Sequence, residues 1–136
     1  MADLTITAAN VLQGAGARTE TGLAGAAVTA GQVVAKEATG KYVLADCDHA
    51  TSALRSPAGI ALHAAAANQP LTVLVKGKVA IGATVAASVP YFLSPTAGGI
   101  CPLDDVLAGD FAVFLGFGIS TSVIDVNIVE AGVVKA

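Results

Sequence analysis

Hydrophobic and polar positions along this chain come in short runs with a period of two, separated by Gly-, Pro- and Asn-rich turns. That pattern predicts strands, because alternate side chains of a strand point to opposite faces. Leu71–Ile81 carries the strongest β signal. Leu71, Val73 and Val75 fall on one face, Val79 and Ile81 follow Gly77, and Lys76 and Lys78 stay in solvent. Leu74 and Ile81 are expected in the core.

Two hairpins are written into the turns. In Val89–Asp105 the apolar run Tyr91-Phe92-Leu93 and the run Ile100-Cys101 flank a Pro-, Thr- and Gly-rich turn. Gly98-Gly99 can supply the positive φ of a tight reversal, and Pro90 and Pro102 limit the strands. Val33–Asp46 can be laid on Tyr91–Asp104 residue for residue, placing Gly40 on Gly98 and Tyr42 on Ile100. A Gly-Ile segment (Gly59-Ile60; Gly118-Ile119) and a β-branched strand (Leu71–Val75; Val123–Val129) follow each hairpin. The expectation is two copies of one supersecondary unit, although turn chemistry alone also produces such likenesses.

The remaining stretches are weaker. Asp3–Thr7 alternates Leu4 and Ile6 with Thr5 and Thr7, as a short strand or extended arm does. Ala8–Gly25 is rich in Gly, so residues 1–25 are expected to form an extended N-terminal arm and loop, with 26–136 as a single β domain. Ala108–Ile119 and Ser122–Val129 are the last two strands, and Val133–Ala136 is a tail. Residues 48–55 are the one helical candidate, with Asp48 as N-cap, Arg55 at the C-terminal end and Pro57 as the stop. About ten short strands and one short helix predict an all-β fold, a small antiparallel β-barrel or sandwich.

Composition sharpens this. The 136 residues are 54% hydrophobic and only 12% charged, against about 25% charged in ordinary globular domains. So little charge suits an exterior partly buried against other subunits. A net charge of -3, no basic run and 4% aromatics argue against a nucleic-acid partner. The longest uncharged window, Val79–Leu103, is broken by Pro and Gly and does not read as a membrane helix. The N-terminus lacks the pattern of a secretory signal, so Cys47 and Cys101 are expected as buried thiols in a reducing compartment.

Catalytic chemistry is sparse. His49 and His63 are the only histidines. Asp46-Cys47-Asp48-His49 strings together four ligand types, but adjacent residues cannot all converge on one ion, and neither Cys has zinc-motif spacing. Asp104-Asp105 point to opposite faces if on a strand. Gly14-Ala15-Gly16 and Gly116-Phe117-Gly118 are incomplete as dinucleotide fingerprints. The expectation is a protein that is not an enzyme and takes no cofactor or metal.

Leu4–Val11 (LTITAANV), Thr29–Val34 (TAGQVV), Gly40–Asp46 (GKYVLAD), Pro57–Leu62 (PAGIAL), Gln69–Gly82 (QPLTVLVKGKVAIG), Tyr91–Pro102 (YFLSPTAGGICP) and Val123–Ile128 (VIDVNI) together resemble the small capsid decoration, or cement, proteins of tailed bacteriophages. The resemblance runs in order along nearly the whole chain, and its motifs are structural. It implies a non-enzymatic β-rich protein, assembled in the host cytoplasm, that binds the major capsid protein on the outside of an expanded head. It further implies a homotrimer at threefold and quasi-threefold positions. The N-terminal segment is then the part that touches the shell: Asp3, Leu4, Thr5, Ile6, Thr7, Ala8, Ala9 and Asn10, adding a strand to a capsid-protein sheet edge. The alternative from another class is a sugar- or receptor-binding module on a phage tail or cell surface.

Overall fold

In the computed structural model, which describes residues 4–47, 52–102, 106 and 109–134, one long strand organises the rest. Among the described residues ten strands form a single sheet: β1 (Val11–Gln13), β2 (Arg18–Leu23), β3 (Val33–Lys36), β4 (Tyr42–Leu44), β5 (Gly59–Ala61), β6 (Pro70–Ile81), β7 (Pro90–Leu93), β8 (Ile100–Pro102), β9 (Phe111–Gly118) and β10 (Val123–Val134). The strand β6 pairs antiparallel with β1, β2, β5 and β10. Lys76 is paired with both Arg18 and Asn127, and one residue meets two partners only across its two edges. So β1 and β2 run end to end along one edge of β6, while β5 and β10 share the other.

The main path of the sheet reads β4-β3-β5-β6-β10-β9-β7-β8. It is palindromic: hairpin β3–β4 followed by β5 and β6 on one side, hairpin β7–β8 followed by β9 and β10 on the other. The repeated unit expected from the sequence is therefore present as repeated topology, with β6 and β10 paired where the units meet. The residue-for-residue overlay is shifted by one position, because the second turn, Ser94–Gly99, is one residue longer than the first, Glu37–Lys41.

The sheet curls into a half-barrel until its two end hairpins meet. Val33 N–H donates to Gly98 C=O (3.0 Å), Gly98 N–H to Ala45 C=O (2.7 Å) and Cys47 N–H to Ser94 C=O (3.2 Å). Cores form on both faces of β3, β5 and β6, which is why β3 and β5 carry consecutive apolar residues. Val33, Ile60 and Leu74 join the larger cluster with Val79, Ile81, Tyr91, Leu93, Ile100 and Leu115. Val34, Ala61, Leu71 and Val73 join a second, built around Tyr42.

An irregularity in β6 serves both clusters. Leu74 and Val79 are an odd number of positions apart, which in an unbroken strand would set them on opposite faces. The register steps from Arg18↔Lys76 to Thr19↔Leu74, leaving Val75 as an extra residue, and Gly77 nearby has φ +109°. The bulge resets the alternation so both side chains reach one core. A Cβ on Gly77 would also lie 2.7 Å from the backbone of Gly16 and Ala17, so the absence of a side chain there lets the β1–β2 connection cross close to β6.

Three expectations are corrected. Residues 4–25 do not reach away from the body: β1 and β2 lie within this stretch, and Leu4–Thr7 lies along the core instead of forming a strand. Their apolar content is low because β2 is an edge strand exposed on nearly every residue, so no alternation marks it. The final strand runs on to Val134 and takes in part of the supposed tail. The short helix is a 3₁₀ turn, Ser52–Arg55, whose Arg55 guanidinium lies 4.0 Å from the centre of the Phe111 ring; Asp48 lies outside the described residues.

Candidate functional site

The N-terminal segment is held at two points. Leu4 N–H donates to Ile100 C=O of the end strand β8, and Thr7 N–H to Gly82 C=O just past β6, both at 2.8 Å. Between these bonds the chain is extended and its side chains alternate. Leu4 and Ile6 turn inward and pack against the larger core, while Thr5 and Thr7 are exposed. Ile6 reaches Gly31, where a Cβ would lie 2.6 Å from its Cγ2. A 3₁₀ turn, Ala8–Asn10, then leads into β1, with all three residues exposed. Of the expected contact residues, Asp3 lies outside the described residues, and Leu4 and Ile6 are anchors. Thr5, Thr7, Ala8, Ala9 and Asn10 remain available to a partner.

What they present is neutral and polar. Thr5, Thr7 and Asn10 line a shallow groove together with Thr84, Thr121 and Ser122, all from the turn regions beside β6 and β10. Hydroxyls and an amide can donate and accept hydrogen bonds, so the groove suits a backbone or neutral side chains better than an ion. The gathering of Thr84, Thr121 and Ser122 beside the segment was not readable from the sequence. Those residues look like ordinary turn residues until the pairing of β6 with β10 brings their turns together.

The other candidates resolve differently. Neither His49 nor the Asp104-Asp105 pair lies among the described residues. His63 is spent on the backbone: its Nε2 accepts the Thr72 N–H at 3.0 Å while Nδ1 lies 2.9 Å from Ala64 C=O, an arrangement that makes Nδ1 the protonated nitrogen. Cys47 and Cys101 are buried thiols. Among the described residues no three His, Cys, Asp or Glu side chains gather as a metal site would require, and no helix is long and apolar enough to cross a membrane.

A charged cluster sits on the smaller core, and no pattern in the sequence announces it. Tyr42 is 1% exposed, yet its hydroxyl reaches the half-exposed Glu20 and donates to Oε1 at 2.7 Å, while Lys36 Nζ lies 3.4 Å from the same oxygen. Lys36 also sits 5.5 Å from the centre of the Tyr42 ring. The Tyr42 hydrogen bond, with smaller help from Lys36 and Arg18, holds the Glu20 carboxyl below its ordinary value of 4.5. Burial first, and the Glu20 hydrogen bond and charge next, push the Tyr42 hydroxyl above the usual tyrosine range.

The sign of the resulting pH dependence follows. With the folded-state value lowered, the unfolded chain takes up the proton first as the pH falls. The contribution of Glu20 is therefore complete above 4.5 and is lost as the pH drops through the folded-state value. Tyr42→Phe should cost about 1 kcal/mol near neutral pH, the worth of one such hydrogen bond. The difference in melting temperature between variant and parent should narrow as the pH is taken from about 6 to about 3. A constant difference across that range would mean that the hydrogen bond does not involve the ionised carboxylate.

No protein-family model matches the chain, and no curated protein matches it significantly.

Proposed function

We propose that this protein is a structural component of a phage particle, binding the outside of the head as a homotrimer at threefold and quasi-threefold positions and stabilising the expanded shell. The ordered run of motifs that resembles decoration proteins first points there. The observation that carries the reading is the N-terminal segment. Its apolar side chains anchor it to the body, and its hydroxyls and amide stay exposed on a charge-free groove suited to another protein's backbone. Many copies of one modest contact attach firmly when each trimer engages several sites at once. The weakly charged exterior, with Leu12 exposed by 65% and Val129 by 49%, supports subunit contacts over an isolated monomer.

The test is co-sedimentation with expanded, undecorated heads, expected to saturate at a copy number matching the threefold-related sites. Changing Thr5 and Thr7 together to Lys alters only outward side chains. It should leave the folded oligomer intact while weakening attachment roughly 100-fold, since the loss is multiplied over the linked copies. Deleting Met1–Asn10 should abolish attachment and also lower the melting temperature, because Leu4 and Ile6 leave the core. Attachment of either variant at parental strength would reject the segment as the contact.

One observation favours the sugar- or receptor-binding alternative. Phe117 is 51% exposed and continues an edge-to-face chain with Phe114 (5.0 Å) and Phe92 (5.8 Å). Exposed aromatic rings are the usual platform for sugars, and a glycan-dependent rise in melting temperature lost in Phe117→Ala would favour that reading.

A further inference from the structure

Where β5 leaves the edge of β6 and β10 takes it over, the sheet splits and a groove opens at Val75. Its polar rim is one cross-strand row, Arg18 on β2, Lys76 on β6 and Asn127 on β10, in register with one another. Besides Ser56, its lining is aliphatic: Pro57, Ala58, Val75 and Ile128. Residues paired in this way share a face, with Cβ atoms about 5 Å apart, and like charges placed directly opposite are destabilising. Yet Arg18 and Lys76 are such a pair.

Among the described residues their neutralisation is slight. Neither Arg18 nor Lys76 has an ion-pair partner there. Glu20, which feels Arg18 weakly, is committed to Tyr42 and Lys36. Asp125 stands opposite Lys78 in the strand register, two residues further along β6. Two cations without an ion-pair partner among the described residues, beside an amide donor and above a mostly aliphatic floor, make a site for a carboxylate carried on an apolar segment. Arg18 can take its two oxygens side by side, Lys76 adds a second charge, and the floor takes the neighbouring side chain. A phosphate would bring its hydration against the apolar floor, so it fits less well.

We propose that this groove binds a carboxylate of an extended peptide segment of a partner protein, with the adjoining apolar side chain seated on Val75 and Ile128. The inference does not depend on the assignment to a phage head.

The probe is a capped tripeptide, acetyl-Ile-Asp-Ile-amide, titrated into the ¹⁵N-labelled full chain. Its Asn counterpart with an amidated end serves as control, and the Asn peptide with a free C-terminus tests a terminal carboxylate. Amide shifts at Val75, Lys76 and Asn127 should move and saturate with at least one carboxylate form and not with the control. Arg18→Gln and Lys76→Gln should each weaken binding by about tenfold, the worth of one charge-assisted hydrogen bond, whereas Lys41→Gln, remote from the groove, should leave it unchanged. Without peptide, Lys76→Gln should hold or raise the melting temperature, since it relieves a like-charge contact. Equal binding of the amidated Asn control, no saturating shift with any peptide, or a lower melting temperature for Lys76→Gln would overturn the proposal.

Discussion

Replacing Leu74 by Ala should destabilise the fold by about 2–5 kcal/mol, the range for deleting a buried leucine side chain that its surroundings cannot fill. Leu74 is fully buried, and its neighbours in the sheet are Ile60 on β5 and Thr19 on β2. It packs in the larger core close to the bulge, where β6 changes partners, so the cavity would lie where both halves of the sheet lean on one strand. Urea unfolding read by circular dichroism measures this directly. Leu12→Ala is the internal control, since Leu12 lies on the outside of β1, 65% exposed, and should cost less than about 0.5 kcal/mol. Comparable losses for the two would show that the β6 register is misassigned.

Tyr42→Ala should cost about 3–5 kcal/mol, as other large buried aromatics do. Tyr42 fills the smaller core against Leu71, Val73, Val34 and Ala61, and its ring is close enough to β2 that a Cβ on Gly22 would stand 2.7 Å from Cε2. Its backbone contributes as well. Gly25 N–H donates to Tyr42 C=O at 2.7 Å, tying the end of β2 to β4. Emptying the ring's place should loosen β2 before the rest, so amide exchange at Glu20 and Gly22 should accelerate more than at Val79 or Ile81. Uniform acceleration would mean that the two cores unfold as one unit.

Parts of this architecture are readable in the sequence and others are not. Hairpins at Gly40 and Gly98 were legible because both glycines have positive φ, +83° and +76°, and sit between apolar runs. The second unit was legible because it repeats that chemistry. The one-residue offset between the hairpins was not, since it depends on which pair closes each turn. β1 and β2 were hidden because an edge strand exposed on both faces has no apolar stripe to betray it. The bulge at Val75 was hidden for the opposite reason: Leu71–Val75 is apolar enough that any register looks acceptable. Of the candidate site, the alternation of Leu4 and Ile6 with Thr5 and Thr7 was visible. Which pair faces the body was decided only by the apolar surface beside Gly31 and Ile100.

The palindromic strand order carries a consequence for how the chain reaches its native state. Apart from the β1 and β2 pairings with β6, strands within β3–β6 and within β7–β10 pair with near neighbours in sequence, so each hairpin and its following strands can assemble early, at little loop-closure cost. The pairing of Val79 with Ile124 joins segments far apart in sequence and must come late. Until it forms, β6 and β10 each offer an unpaired edge to the same kind of partner, and at high concentration β10 of one molecule can complete β6 of another. Refolding yield should therefore fall with protein concentration, and the Gly82–Val89 connection is the hinge through which such exchanged dimers would form.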